Sequence, residues 1–348
     1  YEFAGLAGIG VRGSGTCYGC VKILPLEEPH ILFMKNNPTS DDISPSVAVL
    51  LCSHNGEQFI AEQLKSIVLQ DYPNFSLWIS DDGSTDSTLT IAKDVLDGST
   101  INYNIVPGPE QGFATNFLSL ACDGNIEADY FSFADQDDVW VDNKISRAIE
   151  ILSSVPASTP AMYCSRTTLV DVNCNKIGES PLFSRPASFS NALVQNIGGG
   201  NTMVFNKAAR DLLRAVGCST NVVAHDWWLY LIVSGAGGVV HYDPEPTLFY
   251  RQHENNLIAA NHTLIARLKR IVMMFRGTLR GWISSNTALL LVNRKLLSEA
   301  NQRVLDDFCI ARGSWLLPRL IRFRMARVYR QTRMSNLGLF VAAIFNKI

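Results

Sequence analysis

From Val47 onward the chain repeats one pattern: a short apolar run rich in β-branched residues, a turn, then apolar residues at helical spacing. Strands joined through helices must cross over, so this alternation calls for a parallel sheet covered on both faces, with ligands at the carboxyl ends of its strands. Residues 47–52 read as a buried strand, and Ile60, Leu64, Ile67 and Val68 then recur along one helix face. Residues 75–80, 101–106 and 130–134 read as further strands. Helices are expected over residues 87–96, capped by Thr85 or Asp86, and around residues 115–122.

The expected class is therefore α/β, a Rossmann-like sheet flanked by helices and followed by a mainly helical, basic C-terminal region. Residues 1–45 read as a disordered extension, with Met34 a plausible start; residues 46–260 read as the domain and residues 261–348 as the basic region. Its charge is lopsided: residues 261–348 carry 16 Lys and Arg against three acids, and the remainder carries 14 against 29. An acidic body with a basic tail points to an anionic partner. Placed on one helix, Arg319, Arg322, Arg330 and Arg333 share an arc opposite Ile321, Met325 and Val328, as an amphipathic segment on an anionic membrane would. Nucleic acid is not expected, because no nucleic-acid-binding motif accompanies the charge. The longest apolar stretches, near residues 229–240 and 337–345, fall short of the roughly 18 residues that span a bilayer. The eight cysteines are scattered; Cys17 and Cys20 form a C-x-x-C pair without the second pair that zinc needs, and free thiols are expected.

Three acidic groups fall where strands end or a helix begins. Asp81, Asp82 and Asp86 follow the second strand, Asp135, Asp137 and Asp138 follow the fourth, and Asp226 follows His225. Carboxylates crowded at strand ends repel one another unless a cation or ligand hydroxyls bridge them, and hard oxygen ligands favour magnesium or manganese. In isolation the Asp81 segment could equally be a tight turn with a helix cap.

Taken in order, these residues resemble glycosyltransferase family 2. The run of residues 47–57 with Gln63, Ser66 and Gln70, and residues 79–86, are similar to that family's nucleotide-binding half. Gln111 and Gly112 to Asn116 resemble its Gly-to-Asn loop, and residues 135–140 its D-x-D-D segment. His225, Asp226, Trp227 and Trp228 resemble its E-D element, and Tyr250 to His253 with Asn256 its closing motif. The match spans about residues 47–257. The D-Q-D-D-V-W wording and the His-x-x-Asn ending most resemble the bacterial rhamnosyltransferase-like branch. Two positions depart from the pattern: His54 stands where Tyr is commoner, and His225 where Glu often stands.

The resemblance implies a GT-A-type fold and an inverting, metal-dependent transfer of one sugar, with rhamnose a candidate, from a nucleoside-diphosphate sugar. The acceptor would be a hydroxyl of a glycan, such as a lipid-linked cell-surface polysaccharide, met on the cytoplasmic face of the membrane. It implies that Ser53, His54, Asn55, Glu57, Asp81, Asp82, Asn116, Asp135, Gln136 and Arg251 bind the donor. Asp137 and His253 would hold Mn2+ or Mg2+, and Asp226 would be the base. Trp140, Gly199, Gly200 and Trp227 are candidates for the acceptor side, the two tryptophans being equally readable as core. A sugar nucleotidyltransferase would show a basic, Gly-rich loop after the first strand, where this chain has no Lys or Arg before Lys65. A phospho-acceptor receiver would be far shorter. A binding module without chemistry would have no use for both Asp137 and Asp226.

Overall fold

The structure is a computed structural model that describes residues 44–217, 222–253 and 277–348. Nearly all of the expected extension, residues 1–45, and the Cys17/Cys20 pair lie outside the described residues. The chain runs β1 (Val47–Ser53), α1 (Ile60–Val68), β2 (Phe75–Asp81), α2 (Thr88–Asp97), β3 (Asn102–Pro107), α3 (Phe113–Cys122), β4 (Tyr130–Ala134), β5 (Val139–Trp140) and α4 (Lys144–Leu152). It continues through β6 (Ala161–Ser165), β7 (Thr168–Val170), β8 (Lys176–Glu179), α5 (Phe189–Ala192), β9 (Val204–Asn206), α6 (Lys207–Val216), α7 (His225–Gly235), β10 (Val239–Asp243) and β11 (Leu248–Arg251). Among the described residues four tail helices follow: Thr278–Val292, Glu299–Gly313, Leu316–Met325 and Arg333–Ile344.

The central sheet has the order β10-β6-β9-β4-β1-β2-β3. Its pairings are parallel as the sequence pattern requires, except that β9 runs antiparallel to both β4 and β6. The exception has a local cause. The chain reaches β9 from above the carboxyl end of β4, where the Phe133 N–H donates to the Met203 carbonyl at 3.1 Å, and then runs back down the sheet. That path leaves residues 199–202 at the edge of the ligand crevice. A smaller sheet, β5-β11-β7-β8, carries Trp140 and Arg251.

Period-two alternation in β1 splits the core. Ala48, Leu50 and Cys52 face one buried cluster with α3, α6 and α7, while Val47, Val49 and Leu51 face the other with Ile60, Leu64 and Ile67 of α1. At about 1.5–3 kcal/mol for each fully buried large apolar side chain, these two layers hold the strand ends in place. Helix α7 is buried at every position, which explains its apolar run as a core helix. Among the described residues no helix is long and apolar enough to cross a membrane.

The tail helices share the first cluster through Ile283, Leu290, Leu305, Phe308, Phe323 and Leu339. The expected arginine arc is not formed. Its helix stops at Met325, and Arg327 takes a left-handed backbone with φ of 49°, so Arg330 and Arg333 lie beyond the break. Arg319 is buried, donating to the carbonyls of Ala343 (3.0 Å) and Ser314 (2.5 Å), and Arg322 pairs with Asp307 at 2.6 Å. Ile321 and Met325 are exposed, whereas Val328 packs against the core.

Candidate active site

Loops at the carboxyl ends of β1 and β2 are tied to each other. Asp82 donates its N–H to the Ser53 carbonyl at 2.8 Å, and the His54 Nδ1 lies 2.9 Å from the Asp82 carbonyl oxygen. Asn55, at φ of 47°, donates its N–H to Ser84 Oγ (2.8 Å) and accepts from the Thr85 N–H (2.9 Å). Asp81 is buried and accepts from Ser53 Oγ, Ser84 Oγ and the Ser84 N–H at 2.6–2.8 Å. Asp82 accepts the N–H groups of Glu110 (2.6 Å) and Gly112 (3.2 Å). Gln136 reaches over from the end of β4, accepting the His54 N–H (2.9 Å) and donating to the His54 carbonyl (3.1 Å). A Cβ at position 56 would lie 2.3 Å from the Gln136 oxygen and would displace that side chain from its bonds to His54. Ser53, His54, Asn55, Asp81, Asp82 and Gln136 thus form one hydrogen-bonded rim.

Three other expected donor residues serve the scaffold. Asn116 is buried and bonds Ser80 through both amide atoms, at 2.5 and 3.1 Å, pinning α3 to β2. Glu57 accepts the Ser87 N–H at 3.0 Å; the N-cap of α2 is Ser87, which makes no side-chain cap bond, instead of the expected Thr85 or Asp86, and Asp86 just before it accepts the Thr88 N–H at 3.0 Å. Arg251 is buried; its guanidinium donates to the carbonyls of Asp137 (3.0 Å) and Val172 (2.7 Å) and pairs with Glu62. It therefore fixes the loop that carries Asp137.

Asp135, Asp137 and Asp138 each present a carboxylate oxygen, all within 4.8 Å of one another. Burial, with Asp137 and Asp226 adding repulsion, pushes the Asp135 carboxyl up to about 8, against the opposing pull of Lys144. Burial, with Asp137 and Asp135 adding repulsion, raises Asp138 well above the usual carboxylate range. Acids this crowded fit a divalent cation, which would lift the repulsion. His253 joins them, its Nε2 2.8 Å from Asp137 Oδ2. Sequence reasoning missed Lys144. Its ammonium is buried, donates to Ser132 Oγ at 3.0 Å and lies 3.6 Å over the Trp140 ring; burial lowers it to about 7.

Asp226 stands in the first turn of α7. It accepts the N–H groups of Trp227 (2.6 Å) and of Gly200 (3.1 Å). Burial pushes its carboxyl up to about 6, with the two N–H bonds and the Asn196 side chain holding it back. Position 200 requires glycine, since a Cβ would lie 2.4 Å from the His225 imidazole. His225 is buried and stacked on Phe117 at 3.9 Å, and burial holds it near 3, so it is neutral. The tryptophans expected on the acceptor side are core residues. Trp140 is 2% exposed, and Trp227, 7% exposed, donates its indole N–H to the Ala192 carbonyl at 2.7 Å, leaving no ring face for a sugar. Gly199 and Gly200 do line the turn beside Asp226.

Residues 48–213 match the sequence profile of the family described as Glycosyl transferase family 2. The chain is 29% identical over 283 residues to the dTDP-rhamnosyl transferase RfbG of Shigella flexneri, a match that spans 77% of this chain and 94% of that one. It is 27% identical to an uncharacterized glycosyltransferase of Haemophilus influenzae, over 65% of this chain and 72% of the relative. Among solved structures, S. aureus TarS 1-349 in complex with UDP-GlcNAc shares the fold at a TM-score of 0.51 and 16% identity, covering 86% of this chain and 81% of its own.

Proposed function

Because residues 48–213 match the profile of glycosyl transferase family 2, we propose that this chain moves a single sugar from a nucleoside diphosphate to a glycan hydroxyl, inverting the anomeric centre. One observation carries this reading: the turn of Gly200 and Asn201 bonds Asp226 at 3.1 Å and Asp138 at 2.6 Å, which sets Asp226 beside the cluster of Asp135, Asp137 and Asp138. A base and a diphosphate-holding loop thus share one crevice.

In this reading His54, Asn55 and Asp82 on the joined rim hold the nucleoside, with Asp135 and Gln136 beside the ribose. Asp137 and His253, with Asp135, would hold manganese or magnesium, which when bound offsets the charge growing on the leaving diphosphate. Asp226, at about 6, is ionised at neutral pH yet basic enough to take the acceptor proton as that oxygen attacks. One base and in-line attack from the opposite face give inversion. The backbone at Gly199 and Gly200 borders the acceptor. Its 29% identity to a dTDP-rhamnosyl transferase over 94% of that relative supports dTDP-rhamnose as the first donor to try.

The reading extends to the tail. Leu317, Ile321, Met325, Met334, Leu337 and Phe340 are exposed, as are Arg324, Arg327 and Arg333. Exposed apolar side chains interleaved with cations suit an anionic membrane on its cytoplasmic face, where a lipid-linked acceptor is found.

The test is a panel of nucleotide sugars, dTDP-rhamnose included, scored for nucleotide release and thermal stabilisation with and without Mn2+. Release from one donor that depends on the metal is expected. If no nucleotide sugar is turned over or stabilises the fold, the reading fails.

A further inference from the structure

We propose that Asn201 is a positioning residue that links the acid cluster to Asp226, so that the donor-holding loop and the base keep one fixed separation. The inference rests on the reading of Asp226 as the base. Its ground is a continuous chain of short contacts. The Asn201 Nδ2 donates to Asp138 Oδ2 at 2.6 Å, and the adjacent Gly200 N–H donates to Asp226 Oδ2 at 3.1 Å. Two consecutive residues of one turn therefore carry a side-chain bond to one acid and a main-chain bond to the other.

Each link is held from behind. Asp138 is fully buried, and its second oxygen accepts the Arg251 N–H at 3.3 Å. Both of its oxygens thus have partners within the protein, which makes it a strut for the Asp137 loop rather than a first choice for a cation. The turn itself is closed by Thr202 Oγ to the Gly199 carbonyl at 2.8 Å and by the Met203 N–H to the Gly200 carbonyl at 2.8 Å. His225 fills the space against Gly200, so the turn cannot settle towards α7. Without the Asn201 amide, nothing else in this turn reaches the acid cluster among the contacts described, and Gly200 is freed to shift relative to Asp138. A displacement of about 1 Å at a reacting group can lower turnover by roughly 10²-fold.

The experiment measures dTDP release from dTDP-rhamnose with Mn2+ and, separately, dTDP affinity by calorimetry. For Asn201→Ala, turnover is expected to fall about 10–100-fold while dTDP affinity changes less than about threefold. The exchanged pair Asp138→Asn with Asn201→Asp restores an amide–carboxylate bond in the reverse sense. It is expected to turn over faster than Asn201→Asp alone, which sets two acids face to face. Wild-type turnover in Asn201→Ala, an equal loss in affinity and turnover, or an exchanged pair no faster than its slower parent would each overturn the proposal. Asp226→Asn measured alongside separates the two claims: if it keeps its turnover the base reading fails, and if it alone is inactive only the link fails.

Discussion

Asp226 is subject to two opposed influences, and their balance is measurable. Burial favours its neutral form, and the N–H groups of Trp227 and Gly200 favour the charged one; burial prevails and places it at about 6. A base must be ionised, so turnover should rise with pH through an acid limb near 6 and fall below it; a limb near 4 would mean that solvent reaches the carboxyl. The same shift has a sign for stability. A carboxyl whose folded value lies above its unfolded one stabilises the fold below the unfolded value, and that stability is lost as pH rises through the folded value. Asp226→Asn should therefore unfold at higher urea at pH 7, by about 1–3 kcal/mol, while its turnover drops by roughly 10²–10⁴. Lower stability together with unimpaired turnover would mark the residue as structural. At the neighbouring cluster, Asp137→Ala should abolish transfer and weaken dTDP affinity, and chelator should mimic it; full activity in chelator would remove the metal. The acids were legible because charge at strand ends is visible in sequence. Asn201 and Lys144 were not: an amide after three glycines reads as loop, and a lysine at the start of a helix reads as solvated until packing shows it buried against Ser132 and the Trp140 ring.

At the scale of elements, strands β1 to β4 were legible because apolar runs and their flanking turns are local. The direction of β9 was not, since it depends on where the chain leaves the crevice rather than on the residues in the strand. Nor was the break at Arg327: helical spacing of Arg319, Arg322, Arg330 and Arg333 looks continuous in sequence, yet the left-handed residue divides it. Two of those arginines are spent on Ala343, Ser314 and Asp307, whereas Arg324, Arg327 and Arg333 are exposed among the described residues and open to an anionic surface. At about 1 kcal/mol each near such a surface, they should give salt-sensitive attachment. Sedimentation with vesicles is expected to show binding that grows with anionic lipid and falls when all three become Gln. Equal binding to neutral vesicles, or none, would leave the exposed tail as ordinary surface.

At the scale of the whole molecule, two sheets bring to one region residues as distant in sequence as Ser53, which ends β1 of the central sheet, and Arg251, which ends β11 of the smaller one. The tail helices complete the central sheet's first core layer instead of standing apart. The ordering of short motifs along the sheet was legible, since strand ends in a doubly covered sheet converge on one crevice. The tryptophans misled because sequence cannot tell a ring that faces a sugar from one that fills a core. The proposed reaction is a single displacement with one base, Asp226, and no covalent intermediate. The most direct test is the configuration of the sugar first released from dTDP-rhamnose, read by NMR before mutarotation. The expected product is the anomer opposite to that of the donor; release with the donor's own configuration would contradict a single displacement.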